Sequence, residues 1–430
     1  MHSSVHPQSR VRRLNDRSRR HRRATKRNTN TVAADAAGDC TTPIRVADRM
    51  YWGEAIDMRR DRIAYLDGLR GVACLWVVLW HYTHSSHRSL FPYGSTFVGI
   101  PVLDHGWAGV ELFFLISGYV ILLTLEDCTN LREFLGRRWL RLFPAMLIAS
   151  LTIFAVSRLL GAHMPHGRQG AINLLPGLTF VTPAFWRIVL HRPVDGLDNV
   201  FWTLYVEAGF YVIFGLLYFL LGWRKGLLAL CAIWVAGLVG PPLAHASGFP
   251  SAIPWIGVVR DWLGGGSFGW FASGALFFKS HQSGSPRLFA MAILIGLASV
   301  FGSGFWSGSN LVSTLYLSSC VGLFGAAQKY SLVQRALCTR QLLFVGSVSY
   351  PLYLLHHEIG IGLIAVSPSV VPRFAWLAVP ILMLAFMLAV AWIVARWLEP
   401  IITARLRPFV RLGTQVDNIV TPATIAGWKP

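Results

Sequence analysis

Residues 65–81 read Tyr65-Leu66-Asp67-Gly68-Leu69-Arg70-Gly71-Val72-Ala73-Cys74-Leu75-Trp76-Val77-Val78-Leu79-Trp80-His81. This is an apolar run with a charged pair near its start and an imidazole deep inside. On a helix the step from Arg70 to His81 is close to three turns, so both side chains leave nearly the same face, roughly 16 Å apart along the axis. Asp67 and Cys74 share that face. In a bilayer-spanning helix Arg70 lies near one edge of the hydrocarbon and His81 past its middle, where an ionisable group costs on the order of 2 to 3 kcal/mol or more. A span that keeps both on one stripe lines a polar path with it.

The composition of the 430-residue chain agrees with a membrane solvent: 54% hydrophobic, 14% charged, mean hydropathy +0.49. Soluble domains carry about 25% charged residues. The formal net charge of +19 and a pI of about 10.3 would suggest nucleic acid in a soluble protein. Here the basic residues gather in the N-terminal arm, from Arg10 to Arg27, and in short loops between apolar runs. Cationic loops beside spans are orientation signals and contacts to anionic lipid, so no nucleic-acid partner is expected. Residues 1–60 read as a basic, largely disordered cytoplasmic arm, and too long and charged for a cleaved leader. Residues 61–400 read as the membrane domain and 401–430 as a cytoplasmic tail.

The fold class expected is all-α, a polytopic membrane helical bundle of about ten transmembrane helices. The spans fall at about Leu66–Thr83, Trp107–Leu125, Leu142–Leu160, Val200–Leu221, Leu227–Leu243, a sixth ending near Phe278, a hairpin of two around Trp306–Asn310, Leu342–Val366 and Phe374–Trp397. With this assignment the Lys/Arg excess falls on the cytoplasmic side at each crossing, which puts both termini inside. Leu174–Trp186 is apolar enough for a re-entrant or interfacial piece and too rich in Pro and Gly for a span. The six cysteines, Cys40, Cys74, Cys128, Cys231, Cys320 and Cys338, show no C-x-x-C pair, so neither a structural disulfide nor a zinc knot is expected.

Counted at about 1.5 Å per residue, His81, Glu207, Glu111 and His356 lie on four different spans at one outer depth. Ser349 and Tyr353 share the His356 face. Each alone has a structural explanation, as a hydrogen-bonded packing residue or an interfacial carboxylate. Together at one level they suggest a site, because a carboxylate that fixes the tautomer of a buried histidine makes it a general base. At the cytoplasmic edge Arg138 and Arg141, at i and i+3 on one helix face, suit phosphate recognition as well as a topogenic role. His84-Ser85-Ser86-His87 and His163-Met164-Pro165-His166 have metal-ligand spacing, but no acidic or Cys residue lies near them in sequence, so no metal site is expected. No P-loop, dinucleotide Gly pattern or G-x-S-x-G motif occurs.

These stretches resemble the acyltransferase-three family of integral membrane acyltransferases. Leu66-Asp67-Gly68-Leu69-Arg70-Gly71 followed by His81 resembles its opening, with the Arg-x10-His motif. Gly109-Val110-Glu111-Leu112-Phe113-Phe114-Leu115-Ile116-Ser117-Gly118-Tyr119 resembles its second-span signature, and Arg138-x-x-Arg141 with Pro144 its third motif. Phe201-Trp202-Thr203-Leu204-Tyr205-Val206-Glu207 and Gly346-Ser347-Val348-Ser349-Tyr350-Pro351-Leu352-Tyr353-Leu354-Leu355-His356 resemble two more. The family usually has Asp at the position of Glu111, and some members carry a fused extracytoplasmic domain that this sequence does not show. The resemblance implies an acyl-CoA co-substrate, usually acetyl-CoA, with no permanently bound cofactor, and a glycan or glycoconjugate hydroxyl as acceptor. It implies a bacterial inner-membrane location and leaves room for a separate extracytoplasmic partner protein. Arg70, Arg138 and Arg141 would bind acyl-CoA, while His81 acts as general base or transient acyl carrier, oriented by Glu207. Asp67, Glu111, Ser349, Tyr353 and His356 would support them. Two other readings of the same residues are a proton-coupled transporter, with His81 and Glu207 as a relay, and a non-catalytic membrane scaffold. A small-molecule or lipid-linked acceptor is the alternative within the enzyme class.

Overall fold

The computed structural model describes residues 63–84, 87–246, 266–307 and 310–410. The expectations for the N-terminal arm, the start of the sixth span and the last twenty residues lie outside them. The described residues are helical, with no strand among them. The principal helices are α1 (Ala64–Thr83), α2 (Gly109–Asp127), α3 (Leu131–Leu160), α4 (Trp202–Ala246), α5 (Phe268–Ser283), α6 (Pro286–Ser307), α7 (Leu311–Lys329), α8 (Arg340–Leu355) and α9 (Val379–Ile393). Short turns cover the segment between α3 and α4, where the expected re-entrant piece becomes two surface helices, Leu174–Thr179 and Pro183–Leu190.

Helix ends follow from local chemistry. Asn130, Asn310 and Thr339 each accept a hydrogen bond from a backbone N–H in the first turn of α3, α7 and α8, which satisfies a donor that the helix cannot pair itself. Within α4 the backbone breaks at Gly222 (φ 74°, ψ 168°), a conformation only glycine adopts without strain. Gly226 then lies against Leu217, so α4 holds the expected fourth and fifth spans, parted at the Gly222-Trp223-Arg224 turn.

Five described stretches are long and apolar enough to cross a membrane: Gly106–Asp127, Leu131–His163, Asn199–Val239, Leu311–Lys329 and Arg373–Phe409. That is fewer than the ten crossings read from the sequence. The break in α4 accounts for part of the difference. The expected ninth span runs as helix from Arg340 to Val366, through a π-helical turn at His356–Gly360, and is not among the five stretches. Large apolar side chains face outward along the bundle, among them Leu220 (70% exposed), Phe301 (73%) and Ile381 (59%). A surface of that kind is what lipid requires. The protein is an integral membrane helical bundle.

α1 sits at the centre of the packing. Its backbone meets α8 where a Cβ on Gly346 would lie 2.0 Å from the Asp67 carbonyl oxygen, and one on Gly71 2.4 Å from that of Leu342. α2 meets α5 the same way, a Cβ on Gly118 falling 2.0 Å from the Phe271 carbonyl and one on Gly274 2.0 Å from that of Leu115. In lipid, helices associate through such close small-residue contacts, because the tails are as apolar as the side chains. Four cysteines, Cys74, Cys128, Cys231 and Cys320, are free as expected. Cys338 is disulfide-bonded, against the expectation drawn from the absence of a C-x-x-C pair.

Gly346→Leu and Gly118→Leu should each lower the thermal unfolding midpoint in detergent, at a cost of about 1–3 kcal/mol for overpacking. Gly322→Ala, whose Cβ would meet nothing within 4 Å, should leave the midpoint in place.

Candidate active site

Two polar clusters lie in the bundle, one at the C-terminal end of α1 and one around the start of α3. The first is built by α1, the π-helical turn after α8 and two loops. A residue inserted by a π-turn lets consecutive side chains point into one space, and His356, His357 and Glu358 are all buried there, at 0%, 3% and 0% exposure. Pro351, inside α8, lacks the N–H that would pair with the preceding turn and loosens the helix before this point. Gly360 packs on Tyr82, whose hydroxyl donates to the His356 carbonyl at 3.1 Å.

The hydrogen bonds assign the protons. His356 Nδ1 donates to the Tyr353 carbonyl at 2.8 Å, so in the neutral ring its Nε2 is an acceptor. It accepts from His81 Nδ1 at 3.1 Å, and the same Nδ1–H also faces the Val77 carbonyl at 3.0 Å. That leaves His81 Nε2 bearing the free lone pair, with no hydrogen-bond partner among the described residues. A neutral histidine fixed in this tautomer by its other nitrogen is a base or a nucleophile. His356, expected only to support the site, is therefore the residue that orients His81.

Glu207, expected to orient His81, bonds to other residues. It accepts from the Ser117 hydroxyl at 2.8 Å and the Tyr211 hydroxyl at 2.7 Å, and shares no hydrogen bond with His81. Depth counting placed the two side chains at one level, but depth does not say which neighbour a helix face meets, and this face of α4 meets α2. The ring of Tyr211 lies 5.7 Å from the Arg138 guanidinium carbon, so Glu207 belongs to the second, arginine-bearing cluster. There Arg138 also donates to the Val120 carbonyl at 3.3 Å, and Arg141 stands 5.2 Å over the Tyr350 ring. Between the clusters Thr203, one turn or about 6 Å from Glu207, is 3.0 Å from the Tyr353 hydroxyl. Tyr353, in turn, lies against His356. Polar groups thus run from the arginines to His81.

The remaining expected residues separate. Asp67 pairs with Arg70 at 2.8 Å on the same helix, so Arg70 carries a counterion at the foot of α1. Ser349 bonds back to the Gly346 carbonyl at 2.8 Å and its hydroxyl serves its own helix. Glu111 is half-buried at the start of α2 with its Oε2 covered and unpartnered, away from both clusters' hydrogen bonds.

Sequence reasoning placed His357 at the outer depth beside His356 but gave it no role, missed Asp198 and Glu358, and set His87 and His166 aside. His357 Nδ1 lies 2.8 Å from Asp198 Oδ1 and 3.7 Å from Glu358 Oε1, and His166 Nδ1 is in contact with Glu358 Oε1. His87 faces both imidazoles. The Glu358 carboxylate holds the loop residue His166 above the usual imidazole range, while burial pushes His87 below it. Asp198 is fixed by the Val200 N–H at 3.0 Å and the Glu358 N–H at 3.3 Å. The available signal was His-His-Glu at consecutive positions 356–358, three ionisable residues in an apolar span.

A membrane bundle whose buried histidine presents a free nitrogen, with paired arginines beyond it, is the framework of a membrane group-transfer protein. The model of an acyltransferase domain matches residues 63–396, and the chain belongs to that family, the acyltransferase-three family. Among curated relatives it is 28% identical over 273 residues to the acyltransferase MdmB of Streptomyces mycarofaciens, covering 61% of this chain and 64% of that one. It is 26% identical over 207 residues to the peptidoglycan O-acetyltransferase OatA of Listeria monocytogenes, covering 42% of this chain and 30% of that one. A putative O-acetyltransferase of Staphylococcus aureus strain COL matches at 27% over 161 residues, 35% of this chain and 23% of that one. The chain thus spans less than two thirds of each of these relatives. No solved structure matches.

Gly360→Ala would set a Cβ 2.1 Å from the Tyr82 hydroxyl and should lower the unfolding free energy by about 1–3 kcal/mol. In the Tyr82→Phe background the same change should cost less, a coupling that a double-mutant cycle on thermal stability measures.

Proposed function

We propose that the protein is a membrane O-acyltransferase that moves an acyl group, most simply acetyl, from a cytoplasmic acyl-CoA to a hydroxyl of an extracytoplasmic or membrane-associated glycan. The observation that carries this reading is the His356–His81 hydrogen bond at 3.1 Å, which leaves His81 Nε2 unprotonated and aimed away from its support. The acyltransferase and O-acetyltransferase relatives agree with it, and the peptidoglycan named for OatA favours a sugar hydroxyl as acceptor. In this reading the arginine end faces the cytoplasm of a bacterial inner membrane, with both termini on that side and the histidine end outward. A separate extracytoplasmic partner would present the acceptor in those transfers that need one.

The chemistry follows from the groups in place. Arg138 and Arg141 bind the phosphates of acyl-CoA by charge-assisted hydrogen bonds. Their stacking on Tyr211 and Tyr350 holds the guanidinium planes ready. The pantetheine arm follows the polar groups from Glu207 past Thr203 and Tyr353. His81 Nε2 takes the proton of the acceptor hydroxyl as its oxygen attacks the thioester carbonyl. The tetrahedral adduct expels the CoA thiolate, and the proton on His81 returns to that sulfur. His356 Nε2 accepts the Nδ1–H of His81 throughout, so the imidazolium that forms keeps its orientation.

In lipid nanodiscs supplied with acetyl-CoA and cell-envelope glycan, His81→Ala should lower CoA release by about 100- to 10,000-fold, the range for loss of a general base. Acetyl-CoA binding should persist. His356→Ala should lower turnover with little change in KM for acetyl-CoA. Arg138→Ala and Arg141→Ala should raise that KM by roughly 10- to 100-fold, the value of one charge-assisted bond. A wild type that neither binds nor consumes any acyl-CoA sinks the enzyme reading in favour of transport. Turnover with small or lipid-linked alcohols alone would move the acceptor to that class.

A further inference from the structure

The cluster beside His81 is better built than acyl transfer needs. Acyl transfer as proposed uses His81 and His356; Asp198, His357, Glu358 and His166 form a second group of ionisable side chains with no part in it. We propose that these four residues hold a divalent transition-metal ion of the zinc class, with His87 lining the open side.

Three observations carry this. Asp198, His357 and Glu358 each offer a ligand atom, all within 4.8 Å of one another, and all three residues are buried. Four ligands set tetrahedrally about zinc at 2.0–2.1 Å stand roughly 3.3 Å apart. The His357 Nδ1 distances of 2.8 Å to Asp198 and 3.7 Å to Glu358 bracket that edge length. Second, the cluster leaves one buried oxygen unsatisfied. Glu358 is fully buried with its Oε2 unpartnered, while its Oε1 meets His166 and His357 Nδ1 lies 2.8 Å from Asp198. Buried donors and acceptors are ordinarily paired, and a cation at the centre of the cluster would satisfy that oxygen. Third, the imidazoles are spaced around that centre: His87 to His357 5.6 Å, His87 to His166 6.1 Å and His166 to His357 6.4 Å between ring centroids. Rings bound to one ion at zinc–nitrogen distances have centroids roughly 5 to 6 Å apart, so small movements bring the rings onto one ion. Two carboxylates with two or three imidazoles select zinc, iron or manganese over calcium and magnesium, which prefer oxygen alone.

The loops bearing His87 and His166 were set aside in the sequence because no acidic residue accompanies either one. The fold provides the acids from elsewhere, Asp198 from the segment before α4 and Glu358 from the π-turn. The spacing within each loop, His84 to His87 and His163 to His166, is not the ligand set. One histidine of each loop faces the centre, and His84 instead pairs with Asp104 at 2.8 Å.

The test uses full-length protein in nanodiscs, stripped with chelator and titrated with Co2+ and then Zn2+, with no acyl-CoA present, so that it stands or falls apart from the acyl-transfer reading. The expected result is one ion per chain, a visible d–d band for Co2+ that Zn2+ displaces, and a zinc K-edge spectrum of nitrogen and oxygen ligands without sulfur. Glu358→Gln and Asp198→Asn should weaken binding at least tenfold, and so should His166→Ala at a part-exposed position, each variant's folding being checked by its thermal unfolding midpoint without metal. His84→Ala should bind as wild type does. Stripped wild type that takes up no ion at micromolar metal overturns the proposal, as does uptake that all of the ligand variants share equally, which would place the ion on other surface histidines.

Discussion

The structure depends on backbone contact between α1 and α8. Gly71 and Gly346 bring the two helices so close that a single added carbon would fall 2.0–2.4 Å from a carbonyl oxygen. At that separation the C-terminal end of α1 and the turn after α8 stand side by side, and His81 reaches His356. In water such a contact would add to a hydrophobic core. In lipid the apolar transfer term between helices is gone, and van der Waals packing at small residues takes its place. The same arrangement joins α2 to α5 through Gly118 and Gly274, so Ser117 on α2 is held level with Glu207 on α4.

On that frame the bundle separates its charged groups into two clusters. At the arginine end Arg70 pairs with Asp67 and Arg137 with Glu133 at 2.5 Å, while Arg138 is set beside the Glu207–Tyr211 pair. The histidine cluster is closed off by Tyr82 and Tyr93, each hydroxyl donating to a backbone carbonyl. Ionisable groups far from water persist only when paired or put to use. Thr203 and Tyr353, hydrogen-bonded to each other, are the polar residues that lie between the clusters.

The Arg70 to His81 stripe, the buried His356 and the arginines before α3 were legible because each rests on helical spacing within one element. The all-helical, membrane-spanning architecture was legible from composition and from the cationic loops. The pairing between elements was not. Glu207 was assigned to His81 by counting residues along two straight helices, and that count cannot register how far one helix slides past another. Asp198 and Glu358 are invisible to spacing rules, because one lies in a loop and the other looks like an isolated charge until the π-turn directs it inward. The break at Gly222 was legible, because the basic Trp223-Arg224-Lys225 that follows it ends the apolar run; the π-helical turn at His356–Gly360 was not, because hydropathy carries no record of backbone geometry.

The π-turn also fixes the phase of the helix beyond it. A helix that takes in one extra residue rotates everything downstream by roughly 100° relative to an unbroken α-helix. Ile361 and Ile364, fully buried at 0%, are the faces that this rotation turns toward the bundle. The segment after His356 is therefore keyed to the site by angle as well as by position. Removing any single residue between His356 and Gly360 would leave both helical halves intact while turning a greasy face where a polar one stood. Such a helix records its chemistry as a phase offset, a quantity that sequence length sets and composition does not.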